Sequence, residues 1–280
     1  MDLPTLSTAV DLVKRAFVEG AECDGLRDVG FVGNASGHYP WEPTPIVDLD
    51  ICVFVDSVDP TVGHRLTAID DSLTQRLAQL DVDFETRIIR GAYKRTLLDV
   101  SRPVVVAHLG VFTEAMYREA SPFLRWGWRK YRCTIEPGRF ARLAPPQPSI
   151  AQLLHGPRGV HERLSALVAG RVVMHEWILP ELTEVEWAVS QSEPLFAESC
   201  FSAGATIARN HGRALGCVES DSLPNREFFA WYNGSLFPSG ALMELMRLKS
   251  RARDVGYRGM LPEARAHAVE FLTALASVLE

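Results

Sequence analysis

Cysteine is scarce and scattered in this chain. Cys23, Cys52, Cys133, Cys200 and Cys217 are odd in number, and no two of them form a Cys-x-x-Cys pair. That spacing speaks against a disulfide framework and against a thiolate zinc site, and suits reduced thiols in a cytoplasmic protein. A basic start followed by an apolar run is also missing, since the chain opens MDLPTLST, so no signal peptide is expected. No uninterrupted apolar stretch reaches the length of a membrane-spanning helix, and neither an internal repeat nor a low-complexity tract is present. Positive charge is in deficit. With 29 Lys and Arg against 35 Asp and Glu, the formal net charge is −6, which disfavours a general nucleic-acid binder. What is there is a globular composition, 47% hydrophobic and 23% charged over 280 residues. That length suits one large or two ordinary domains.

The chain is organised around Val29 to Asp56, VGFVGNASGHYPWEPTPIVDLDICVFVD. An apolar strand runs into the small-residue turn Gly33-Asn34-Ala35-Ser36-Gly37, then a loop of aromatics and prolines, then a strong strand from Ile46 to Val55. Residues two apart in a strand share a face, so the carboxylates of Asp48 and Asp50 stand side by side while Leu49 and Ile51 turn to the other face. Adjacent like charges repel unless a cation lies between them. Oxygen donors suit a hard divalent ion, Mg²⁺ or Mn²⁺. The alternative is a strand end whose aspartates are merely solvated. Upstream, Gly33 and Gly37 lack Cβ atoms and let backbone N–H groups approach an anion, with Asn34 or Ser36 as a side-chain donor.

These residues resemble the signature of the DNA polymerase β-like nucleotidyltransferase superfamily: an apolar residue, Gly, then Gly or Ser, a spacer, and Asp-x-Asp among apolar neighbours. Val32-Gly33-Asn34, the spacer 35–47 and Asp48-Leu49-Asp50-Ile51 stand at those positions. The departure is Asn34, where the family has Ser. The resemblance implies a mixed α/β sheet with flanking helices, two Mg²⁺ or Mn²⁺ ions on Asp48 and Asp50, an NTP cradled by Gly33, Asn34, Ser36 and Gly37, and a third carboxylate on a later strand. DVDFETRII, Asp81 to Ile89, alternates acid and apolar residues. It offers Asp83, with Glu85 beside it, as that third group, either as a metal ligand or as a proton acceptor. The other reading of the same strand is an acidic edge that resists aggregation.

The remaining features are less specific. His108 is the ionisable residue of the apolar strand Pro103 to Phe112. It reads as a hydrogen-bonded core residue, or as the third group should Asp83 and Glu85 lie remote, in which case ordinary two-metal chemistry is in question. Lys94, beside Arg95, is read as neutralising pyrophosphate or as part of a solvated turn. Arg125 to Arg142 interleaves cations with Trp126, Trp128, Tyr131 and Phe140, a pattern for stacked bases and phosphates or for a linker anchored to the core. The Pro-rich segment Leu143 to Ser149 marks a boundary.

Beyond it, Val160 to Val172, Thr183 to Ser192, Leu195 to Leu215, Gly240 to Val255 and Leu261 to Leu279 are read as helices of a bundle. Within it, the resemblance implies an acceptor-side base for which Glu184 and Glu186 are candidates, and Arg247, Lys249, Arg251 and Arg253 are triphosphate contacts or a solvated face. The expected layout is therefore a catalytic domain over 1–120, a basic and aromatic segment with its linker over 121–149, and an acceptor-binding helical bundle over 150–280. The expected function is NMP transfer from an NTP to an acceptor hydroxyl, a small molecule given the acidic balance. A tRNA-modifying enzyme of the toxin type and a degenerate fold that binds without turnover are the alternatives. No membrane partner is expected.

Overall fold

The computed structural model describes residues 3–21, 26–32, 46–90, 102–116, 133–134, 147–257 and 259–280. Helix α1 (Leu3–Ala21) buries Leu6, Ala9, Val10, Val13 and Phe17, an apolar stripe at helical spacing. Strands β1 (Leu26–Val32) and β2 (Ile46–Val55) pair antiparallel. Helix α2 (Pro60–Ala78) starts where Asp59 accepts hydrogen bonds from the backbone N–H groups of Thr61 and Val62, with Pro60 in the first turn. Strands β3 (Asp83–Arg87), β4 (Ile89–Arg90), β5 (Val104–Phe112) and β6 (Cys133–Thr134) follow.

Among the described residues the larger sheet is mixed and five-stranded, in the order β3-β5-β2-β1-β6, with β5 parallel to both β3 and β2. Its two faces differ because side chains alternate. Leu49, Ile51 and Val53 of β2 and Val105, Ala107 and Leu109 of β5 share a core with α1 and α2. The opposite face carries Asp48 and Asp50.

The second half contains α3 (Ile150–His155), α4 (Val160–Val168), strands β7 (Arg171–Ile178) and β8 (Thr183–Ser190), then α5 (Pro194–Ala214), α6 (Glu219–Ser222) and α7 (Asn225–Trp231). A π turn (Tyr232–Leu236), α8 (Gly240–Val255) and α9 (Leu261–Leu279) complete it. Helices α5, α8 and α9 pack around Phe196, Phe201, Leu242, Leu245, Phe271 and Leu272. The expected all-helical bundle needs correction, because Thr183 to Ser190 is a strand and the helix from Val160 ends at Val168. Thr-Glu-Val-Glu-Trp-Ala-Val-Ser alternates β-branched and aromatic residues with Glu184, Glu186 and Ala188, which is a period of two. Gly170, at φ +67, turns the chain from α4 into β7.

The β7–β8 hairpin joins the halves. Its base contributes Met174 and Val189 to the helical core, whereas Leu182 is buried in the sheet core with Trp177 and Leu179 against it. Strand β4 pairs with β7, so the three-stranded sheet β4-β7-β8 draws on both halves. The tip is seated on α2: a Cβ on Gly63 would lie 1.7 Å from the Pro180 carbonyl oxygen. Among the described residues no helix is long and apolar enough to cross a membrane.

Gly63→Ala therefore separates two opposed effects. At an open helical position the exchange stabilises by up to about 1 kcal/mol, but here the new methyl group meets backbone, and overpacking of this kind costs about 1–3 kcal/mol. Urea unfolding is expected to show net destabilisation. A stabilised variant would contradict the seating of the hairpin on α2.

Candidate metal centre

The centre is a consequence of register. β2 and β5 run parallel with Asp48 opposite Val106 and Asp50 opposite His108, and residues opposite each other in neighbouring strands point to the same face. Both aspartates and the histidine thus rise from the sheet face away from α1 and α2. His108 Nδ1 lies 3.4 Å from Asp50 Oδ1. One ligand atom from each of Asp48, Asp50 and His108 falls within 4.8 Å of the others, and among the described residues this is the one group of three or more that could hold a metal ion. The Asp50 side chain is 55% exposed and that of His108 15%, so the group opens to solvent on the Asp50 side.

The imidazole is oriented from both edges. Its Nε2–H donates to the Ile89 carbonyl oxygen at 3.0 Å, which leaves Nδ1 facing the carboxylates. Burial alone would pull the His108 pKa down. The hydrogen bond and charge of Asp50, the charge of Asp48 and the Ile89 carbonyl together outweigh it and raise the pKa to about 9. Without a metal, then, a protonated imidazole ring supplies the positive charge beside the acids. With Nδ1 deprotonated, the same ring is a nitrogen ligand. The donor set of two carboxylates and one imidazole fits a divalent ion. Nitrogen suits Mn²⁺ or Co²⁺ better than Mg²⁺, which prefers oxygen and water.

The third carboxylate is placed otherwise than expected. Asp83 and Glu85 lie on the same face as Asp48 and Asp50 but on β3, opposite Val104 and Val106 of β5. β5 stands between β3 and β2, so two strand spacings, roughly 10 Å, separate the backbones. Each acid also has an arginine: Asp83 Oδ1 is 3.6 Å from Arg102 and Glu85 accepts from Arg87. The place beside the aspartate pair belongs to His108. Gly33, Asn34, Ser36, Gly37 and Lys94, and the side chains of the Arg125–Arg142 segment, lie outside the described residues.

In the second half, Glu184 and Glu186 flank His175, with Nδ1 to carboxylate distances of 3.3 and 3.4 Å. On α8, Arg247 pairs with Glu244, and Lys249 pairs with the buried Glu198. Sequence reasoning missed the Ile89 carbonyl, because a backbone acceptor leaves no mark in composition and β4 is only two residues long. The chain matches no protein-family model and no curated protein.

The His108 pKa sets a sign for stability. A folded value of about 9 above an unfolded value of 6.5 adds stability that is fully present below pH 6.5 and lost as pH rises through about 9. In chelator-treated protein, wild type is expected to exceed His108→Gln by on the order of 3 kcal/mol at pH 6, with the gap closing toward pH 10. Urea unfolding across that range checks it. A gap independent of pH would contradict the imidazolium.

Proposed function

We propose that this chain is a divalent-metal-dependent nucleotidyltransferase that moves an NMP from an NTP to a hydroxyl of a small-molecule acceptor. The observation that carries the reading is the convergence of Asp48, Asp50 and His108 on one face of a sheet whose other face is packed by helices, with the Asp50 carboxylate reaching solvent. Side-by-side carboxylates on a rigid central strand make a preformed site for a cation that must meet phosphate oxygens. Asp48 and Asp50 would hold the ion, with His108 Nδ1 as a third ligand. A divalent ion bound there supplies charge neutralisation for the phosphates.

In the reaction, the acceptor oxygen forms a bond to the α-phosphorus as the bond from that phosphorus to the bridging oxygen breaks. Pyrophosphate leaves with that oxygen, and the hydroxyl proton passes to solvent on the exposed side of Asp50. The net charge of −6 favours a small acceptor over a polyanionic one.

A second reading is favoured by His108 standing where the resemblance implies a third carboxylate. Two carboxylates and an imidazole hold one ion more readily than two, and a site with one ion suits nucleotide binding without turnover.

Pyrophosphate release separates the two. Each NTP is supplied with Mg²⁺ or Mn²⁺, with and without a metabolite extract or total tRNA. Release is expected with the metabolite extract, and Asp48→Ala/Asp50→Ala is expected to lower it by more than about a hundredfold, the equivalent of losing several kcal/mol of charge stabilisation. Stimulation by tRNA that collapses with added salt would instead identify an RNA acceptor. Metal-dependent NTP binding without pyrophosphate release would establish the binding reading, and release unaffected by the double variant would refute the site.

A further inference from the structure

Glu176 lies outside the aspartate–histidine group, in the middle of β7. It is 7% exposed, and a carboxylate that far from water requires strong partners. Arg87 Nη1 donates to its Oε1 at 2.9 Å, and Trp187 Nε1 donates to its Oε2 at 3.2 Å. Arg87 is the β3 residue in register with His108. The ion pair therefore ties the hairpin to the row of the larger sheet that carries His108.

The backbone makes a second tie at the same point. Glu176 is the ladder partner of Ile89, and the Trp177 N–H donates to the Ile88 carbonyl at 2.9 Å. Ile89 is the residue whose carbonyl accepts from His108 Nε2. If β4 shifts, that carbonyl shifts with it, and the imidazole loses the contact that turns Nδ1 toward Asp48 and Asp50. A carbonyl behind a ligating imidazole sets both its tautomer and its aim.

We propose that Glu176 is a positioning residue for His108: anchored to Arg87 and Trp187, it holds β4 against β5 so that the Ile89 carbonyl aims the imidazole into the centre. The second half of the chain thereby completes the metal site without donating a ligand to it. The inference rests on the metal reading of Asp48, Asp50 and His108 for its effect on affinity, though not for the position of the ring.

The test titrates Co²⁺ and Mg²⁺ by calorimetry into wild type, Glu176→Ala, Glu176→Gln, His108→Ala and the Glu176→Ala/His108→Ala double variant. Co²⁺ gains more from an imidazole ligand than Mg²⁺ does. Glu176→Ala is expected to weaken Co²⁺ by about tenfold to a hundredfold with a much smaller change for Mg²⁺, and to cost nothing further once His108 is alanine. Glu176→Gln keeps the size and an acceptor oxygen for Arg87. It is expected to lose less, in the same Co²⁺-selective direction, and it decides the matter if the alanine variant does not fold.

Equal weakening of both ions, or an undiminished effect in the His108→Ala background, would overturn the proposal. If wild type binds neither ion the metal reading fails on its own, and the ring position is then read by NMR. The His108 Nε2–H, protected in wild type by its bond to Ile89, is expected to exchange rapidly in the Glu176 variants. Protection that persists in them would overturn the proposal there too.

Discussion

Two carboxylates two residues apart on one strand repel each other, and the molecule is arranged around that repulsion. Asp48 and Asp50 cannot separate, because Leu49 and Ile51 between and beside them are fully buried on the opposite face. They need a cation held from the front. The parallel pairing of β2 with β5 brings one, the His108 imidazolium, opposite Asp50. Protonated His108 and a divalent ion answer the same need, so they compete for it. In the proposed metal site, affinity would accordingly be coupled to the proton on Nδ1, and binding an ion would release that proton.

The two halves of the chain have separate cores, and the β7–β8 hairpin has a foot in each. Met174 and Val189 anchor it among the C-terminal helices, while Leu182 is buried against the first core. Between these anchors the hairpin receives β4, whose Ile89 carbonyl holds the imidazole. Breaking the Glu176–Arg87 pair leaves a nearly buried carboxylate short of its charged partner, a loss on the order of 3–5 kcal/mol for fully buried pairs and less here, where Arg87 is 37% exposed. The halves are therefore expected to unfold together.

Sequence patterning reached most of the sheet face and little of what aims the histidine. β2 and α8 run over the residues their periodicity implies, and Asp59-Pro60 is a start signal of the kind at which α2 begins. The side-by-side placement of Asp48 and Asp50 follows from strand period alone. That β5 and not β3 neighbours β2 does not follow, because strand order depends on crossovers that leave no periodic trace. Asp83 and Glu85 alternate as well as any ligand strand would, yet they serve Arg102 and Arg87. Thr183 to Ser190 was legible as a strand from Val185, Trp187 and Val189, but Glu and Ala are good helix formers and the segments on either side, Val160 to Val172 and Leu195 to Leu215, carry helical spacing, so the helical reading competes. With that strand misread, Glu176 and Ile89 have no visible reason to meet.

Electron paramagnetic resonance of Mn²⁺ added to purified protein at pH 8 asks whether Asp48, Asp50 and His108 hold a metal ion, and it needs neither nucleotide nor acceptor. Bound Mn²⁺ should be seen with wild type, be lost in Asp48→Ala/Asp50→Ala, and weaken in His108→Ala. No binding to wild type, or binding that the double aspartate variant leaves intact, would contradict the assignment of these three residues to a metal centre.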